Sequence, residues 1–504
     1  MAVDATHDQY DFYAEDWRTI RDHVQGSRRV KEAGSRYLPM LGDPSNPVDR
    51  AEYEKYKARA MYYPGASRTK SALLGSVMRV APTVGDVIEE RFPDALKSIT
   101  DDNRSFVDLA QQVVDETIEV NRCGVLVDAP TVGDVNTLPY LVMYTAEQII
   151  NWRYEYVEGK LVKTLVVLQE EVVESGDDML DEPDKITRYR ALMLAPVDPE
   201  FPDGPRIYKQ QIWEEVVRDD ESGAERRPSS PQGDAADQSP AADLEMIEEI
   251  IPTRRGEMLA EIPFFFASTL GDVPEISKSI LMDVVDVNVS HYQSSADLEH
   301  GRHYVALPTP WVAGFELEEG EKLVLGPSQA WITQNTEARA GMLEFTGSGL
   351  TALEKALEHK ERLMATLGAR LLEQTRSGVE TAETARIRQS GEQSALSNVS
   401  DGAGSTLTEV MRFWAFWAGL EDTDDVEVTL NRDFIDTRLA PAEVTALMNA
   451  YLSGGISYST LFMNLKKGEV VAPDADEGDE RDAILSDPII AEQRVQPSEG
   501  QGDQ

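Results

Sequence analysis

The chain has 504 residues, enough for several cores, and carries 91 acidic against 48 basic side chains for a formal net charge of −43. That surplus disfavours tight binding to phosphate backbones, which depends on Lys and Arg displacing counterions; general solubility or adaptation to salt explains the charge equally simply. A single cysteine, Cys123, leaves no internal disulfide framework and no Cys-based zinc site, as in a reducing compartment. Length divided by about 150 gives three domains as a starting expectation.

Residues 1–13 are acidic and lack the basic and apolar regions of a signal peptide. With no apolar run of about 18 residues to span a bilayer, a soluble chain not exported by that route is expected. Residues 10–33 read as an amphipathic helix with Trp17, Ile20, Val24 and Val30 among Arg18, Arg21, Arg28, Arg29 and Lys31. This is the most basic patch in the chain, suited either to nucleic acid or an acidic partner, or to a solvated face answering acidic neighbours.

A Pro/Gly-rich connection over 37–47 leads to helices over 49–62, 67–77 and 101–121, followed by a buried-type strand at 124–128. Strand signals then dominate at 140–144, 149–156, 161–173, 187–194 and 207–217, with Glu158-Gly159 as a hairpin turn. Residues 219–243, rich in Ser, Pro, Gly, Gln and Asp, read as a disordered or exposed loop. A buried strand at 262–266 closes this α+β region.

Residues 272–375 read as two long helices around a short β-rich excursion. The first carries Ile276, Ile280, Val284 and Val287 on one stripe and Leu281, Val285, Val289, Tyr292 and Ala296 on the next, so it has partners on two sides. The second opens after Gly347-Ser348-Gly349 and repeats Leu350, Leu353, Leu357, Met364, Leu367 and Leu371 against a charged face. At 1.5 Å per residue each runs to roughly 36 Å. Strand-like runs lie between them at 304–307, 311–315, 322–325, 330–333 and 342–345.

Beyond the second helix, residues 375–383 form a small polar loop. Helical pattern resumes over 384–399 and 407–418, and 426–430 alternates like a strand. Two short helices follow at 441–452 and 458–466, and from Pro473 the chain reads as an acidic, frayed tail. No repeat of fixed period is present.

Signals for catalysis are thin. Gly347-Ser348-Gly349 after a strand superficially matches a dinucleotide fingerprint, but the helix it opens leads into a polar loop and not into a second parallel strand. Asp297, Glu299, His300 and His303 could ligate a metal, the basis of an alternative reading as an acidic metal-dependent hydrolase. Equally, Gly301 between the two histidines would mark a helix C-terminal cap with favourable dipole interaction. No P-loop and no Gly-x-Ser-x-Gly elbow occurs in the sequence.

Several phrases carry a family resemblance: Arg122-Cys-Gly-Val-Leu-Val-Asp128, Ile150-Asn-Trp-Arg153, His291-Tyr-Gln-Ser-Ser-Ala-Asp297, Leu307-Pro-Thr-Pro310, Leu343-Glu-Phe-Thr-Gly347 and Met364-Ala-Thr-Leu-Gly-Ala-Arg-Leu-Leu372. In this order, within an α+β body, helix, β insert, helix, polar loop and helix, they resemble the phage portal proteins, in particular a subfamily of uncharacterised phage portals, over roughly residues 10–430.

The resemblance implies an α+β, multi-domain portal fold and a ring, usually of twelve subunits, around a channel for double-stranded DNA. Residues 1–271 would be the wing, 272–300 the first stem helix, 301–348 the clip and 349–375 the second stem helix. Residues 376–385 would be the tunnel loop, 386–437 the channel helix with a returning wing strand, 438–472 a short crown and 473–504 the tail. Arg376, Ser377, Glu380, Thr381 and Glu383 would face the bore. The two stripes of the first stem helix would supply the flanks on which ring neighbours pack. The implied partners are further copies of the chain, the DNA, a terminase, a tail adaptor and the capsid protein. Neither cofactor, membrane nor enzymatic activity is implied, and the location is the virion, with host cytoplasm during assembly. Another ring-forming structural protein of the virion is the remaining alternative.

Overall fold

A computed structural model describes residues 2–130, 138–157, 159–174, 184–197, 200, 204–216, 243–306, 309–315, 331–343, 347, 349–372, 394–432, 434, 441–468, 470–471 and 475–486. The chain divides into two compact units, Met1–Arg432 and Asp433–Gln504. Helix and sheet are mixed, as the α+β expectation requires.

The first unit opens with α1 (Asp8–Gln25) and α2 (Ser27–Glu32), separated at Gly26, whose φ of 92° no ordinary helical residue adopts. The single helix expected over 10–33 is therefore broken. Next come α3 (Pro47–Arg59), α4 (Gly65–Val77), α5 (Asp86–Arg91) and α6 (Phe106–Glu119). The last begins five residues later than expected, where Ser105 and Asp108 form a reciprocal capping box.

Two antiparallel sheets follow. β1 (Cys123–Asp128) is the central strand of three, between β2 (Tyr140–Thr145) and β10 (Phe264–Ala267), and every β1 residue is buried. Gly124 faces the ring of Phe264 so closely that a Cβ there would collide with it. The other sheet is a meander of β3 (Ile149–Val157), β4 (Lys160–Glu174), β5 (Asp184–Pro196), β6 (Arg206–Val216) and β7 (Asp243–Ile250). β7 lay outside every expected strand because, as an edge strand facing solvent, it carries Glu245, Glu248 and Glu249 among exposed Met246 and Ile247 and shows no apolar alternation. Two-residue strands β8 (Thr253–Arg254) and β9 (Glu257–Met258) precede β10. The residues expected as a loop over 219–243 lie, all but the last, outside the described residues.

The long helices are α7 (Met282–Ala306) and α8 (Leu350–Leu372), and between them β11 (Thr309–Ala313) pairs antiparallel with β12 (Arg339–Leu343). Expected strands over 322–325 lie outside the described residues, and 331–333 form none. After α8 comes α9 (Ser394–Trp417), packed against α6, β1 and β10. At Gly402 it approaches the carbonyl of Ser268 too closely for any side chain. The strand expected at 426–430 is a single bridge, Thr429 to Thr83.

The second unit contains α10 (Pro441–Leu452), α11 (Tyr458–Lys467) and α12 (Glu477–Ser486). Over its own span the last replaces the frayed tail expected from 473, since three acidic residues in its first turn favour the positive end of a helix dipole; residues 487–504 lie outside the described residues.

Candidate functional site: the paired helices and their hairpin

Helix α7 starts later and ends later than its sequence indicates. Ile276 and Ile280 precede it, because the 272–281 segment is tied elsewhere through backbone and side chains: Arg122 donates to the Val273 carbonyl at 2.9 Å, Asn121 to Ser277 Oγ at 2.6 Å and to the Lys278 carbonyl at 3.4 Å, and Ser279 Oγ to the Glu119 carbonyl at 2.6 Å. Those bonds hold an extended lead-in against the end of α6. At the other end the helix runs through Gly301 to Ala306, so Gly301 is not a cap and 304–306 are not strand. A Cβ at Gly301 would sit 2.7 Å from Leu350 Cδ2. The glycine admits the first residue of α8 and does not reverse the chain.

The pairing of Gly301 with Leu350 and of His291 with Glu361 makes the two helices antiparallel. On α8, Leu357 and Met364 are buried. Lys360 Nζ donates to the Ser290 carbonyl at 2.8 Å and to Ser294 Oγ at 2.7 Å. Arg302 pairs with Glu299 at 2.6 Å and across the interface with Glu354 at 2.8 Å. His291 Nε2 lies 3.3 Å from Glu361, but burial outweighs that carboxylate and holds the imidazole below its ordinary pKa.

The other flank of α7 meets α1, α3 and α4. Asn288 is fully buried there: its Oδ1 accepts from the amides of Gly65 and Ala66 at 3.1 Å, and its Nδ2 donates to the Tyr63 carbonyl at 2.9 Å. It thus accepts from the first two amides of α4, of which Gly65 also donates to the Tyr63 carbonyl at 2.9 Å. Tyr292 and Ala296 enter a core with Tyr37, Tyr53 and Tyr56. Both apolar stripes of α7 are consequently covered within one chain, and the expectation that they pack against ring neighbours is corrected. The outer face of α8, with Lys355, Glu358, His359, Arg362 and Leu363, is exposed.

At the far end of the pair, Trp311 stands opposite Gly341 across the hairpin and covers the space a side chain would take. Trp311 and Met342 remain 44% and 46% exposed.

The candidate metal ligands are engaged separately. Asp297 accepts from the Tyr56 hydroxyl at 2.6 Å, Glu299 holds Arg302, and His300 lies edge-on to Tyr56 and Tyr304. Arg59 approaches His303 Nε2 at 3.1 Å, and since a guanidinium can only donate, the lone pair a metal would need is taken. Among the described residues no three His, Cys, Asp or Glu side chains converge on a metal position. The Gly347–Gly349 turn follows an antiparallel hairpin, not a parallel strand. No helix of the described residues is long and apolar enough to cross a membrane.

The basic patch is largely spent inside the fold. Arg21 pairs with Glu116, Glu119 and Glu147 at 2.6, 3.2 and 2.9 Å, Arg29 with Asp22 at 2.8 Å, and Lys31 donates to the Ala58 carbonyl. Arg18 and Arg28 are exposed.

Arg376, Ser377, Glu380, Thr381 and Glu383 lie outside the described residues. On α9, which follows them, the exposed positions among mostly buried ones are Asn398, Asp401, Ser405 and Glu409. Their 3, 4, 4 spacing marks one polar line on the helix, a periodicity legible in the sequence but masked there by the flanking aromatic run. Asp401 pairs with Arg432 at 2.7 Å and Glu409 with Arg412 at 3.0 Å, leaving no unmatched cation along the line.

A family model described as a domain of unknown function, DUF4055, matches residues 280–418, from just before α7 to just past α9. No curated protein matches the chain. Among solved structures, a chain in the neck of an empty gene transfer agent particle computed with C6 symmetry matches with TM-score 0.36 and 9% identity, over 84% of this chain and 91% of that one. A chain in the virion of the native gene transfer agent particle matches with TM-score 0.36 and 8% identity, over 81% and 92%. At these TM-scores the likeness carries no argument about fold or function.

Proposed function

We propose that the chain is a structural, non-enzymatic subunit of a phage virion that forms a portal ring around double-stranded DNA. The observation that carries this reading is the antiparallel pair α7 and α8, packed on an α+β body at one end and joined by a β hairpin at the other. That arrangement matches the stem and clip implied by the ordered phrases from Arg122 to Leu372. In the assembled ring, neighbouring subunits meet over the outer face of α8, because α7 is covered on both flanks. The polar line of α9 and the 376–385 segment face the bore, where an acidic wall with few phosphate-binding side chains keeps contacts with DNA weak and independent of sequence. The exposed Trp311 and Met342 of the hairpin dock the packaging terminase during filling and a tail adaptor afterwards.

Deleting residues 377–382 tests the bore assignment: packaging or retention of DNA should fall while particles still assemble. Unchanged packaging and retention would remove the segment from the channel. Labelling the protein in intact particles separates a portal from another ring of the virion, since a portal sits at one capsid vertex and not at a tail junction away from it.

A further inference from the structure

Just ahead of α1, residues 5–7 run along the edge of β3, the first strand of the meander. The His7 amide donates to the Ile150 carbonyl at 2.9 Å, and Asn151 Nδ2 donates to the Ala5 carbonyl at 2.7 Å. The His7 ring stacks on Trp152, with 4.1 Å between ring centres and 15° between the planes. Three successive residues of β3 are engaged in this way, and all three are buried. An edge strand presents unpaired backbone groups unless something covers them. Beyond His7 the chain is anchored separately: the Tyr10 hydroxyl donates to the Glu147 carbonyl at 3.1 Å, and Gln9 Oε1 accepts from the Ile276 amide at 3.4 Å. The contact with β3 can therefore open without the first turn of α1 moving.

His7 is also the N-cap of α1, its Nδ1 accepting from the Gln9 amide at 3.1 Å. Only a neutral imidazole can do this, because an imidazolium has no lone pair to offer. Its position disfavours charge as well. The ring sits at the positive end of the α1 dipole, on an indole whose centre is 4.7 Å from the Arg122 guanidinium carbon. The other titratable groups around it are Asp8 and Asp11 on α1, Arg153, Tyr154 and Glu155 on β3, and Glu275 in the lead-in of α7. Glu155 is held by Arg206 at 2.8 Å. Burial, with Arg122 in support, outweighs Asp8 and Asp11 and keeps the imidazole below its ordinary pKa of 6.5.

We propose that residues 5–7 form a strap released by acid: protonation of His7 removes the cap of α1, detaches the ring from Trp152 and opens the edge of β3 at Ile150 and Asn151. Above the ordinary histidine value the ring is neutral whether the strap is closed or open, and closure is intact. As pH falls through that value the open form takes up the proton first, and closure is lost. The strap is independent of the portal reading.

The test is amide hydrogen exchange of the full chain at about pH 7.5 and about pH 5.5, corrected for the intrinsic effect of pH on exchange. Protection of the peptide that carries the His7 and Gln9 amides should fall about tenfold, the ratio set by an open-state pKa near 6.5. His7→Asn supplies a cap that does not titrate and should keep its protection at both pH values, whereas His7→Ala should lack it at both. Undiminished protection of the native chain at the lower pH would overturn the strap, as would a loss that His7→Asn shares.

Discussion

The two ends of α7 are built differently. From Val284 to Leu298 the helix is enclosed by α1, α3, α4 and α8, with Asn288, His291, Tyr292, Ser295 and Ala296 all buried. From Glu299 to Ala306 it has no fully buried residue, and it is held by a half-exposed ion pair with Glu354, the close approach at Gly301, the edge-on contact of His300 with Tyr56 and the contact of His303 with Arg59. One helix is thus a core element at its start and a support for the hairpin at its end. Stability should reside in the first part, and variation should be tolerated in the second.

Asn288→Ala should break this contrast most visibly. It leaves the Ala66 amide without its partner in a buried site, while the Gly65 amide and the Tyr63 carbonyl keep their bond to each other, and should cost about 2 kcal/mol in denaturant unfolding. A smaller effect is expected from acid. His23 and His291 are buried and have pKa values below the ordinary 6.5, so the unfolded chain takes up protons first. Their contribution is intact above that value and is lost as pH falls through it. Unfolding midpoints should therefore drop between about pH 7 and pH 5, and less so in His291→Gln. Smallest of all, Glu354→Ala should change stability by less than about 0.5 kcal/mol, since both partners of its ion pair with Arg302 are nearly half exposed. Gly301→Ala should be similarly mild: a gain in helix propensity offsets the shift of Leu350. A left-handed cap at that position would instead lose about 1 kcal/mol.

The same division governs what could be read from the sequence. The first four strands of the meander, α8, α10 and α11 were legible because each shows a sustained period or a turn signal at its limits. The start of α7 was misread because Ile276 and Ile280 keep helical spacing while Asn121 and Arg122 claim the Lys278 and Val273 carbonyls and Ser279 is tied to Glu119, a tertiary preference with no local trace. Gly301 was misread for a related reason: close packing and chain reversal both select glycine, and only the neighbour, Leu350, distinguishes them. The two stripes of α7 were correctly read as two contacts, but periodicity does not say whether a partner belongs to the same chain. The basic patch near the N-terminus was charge without a destination until Glu116, Glu119 and Glu147 met Arg21.

A portal requires these chains to form a closed ring, and the mass of the purified, untagged protein tests that most directly. Light scattering on a sizing column, with negative-stain images of the peak, should give a particle near twelve times the 56.0 kDa chain with a central hole. A monomer or dimer that persists across salt concentrations and under assembly conditions would contradict it.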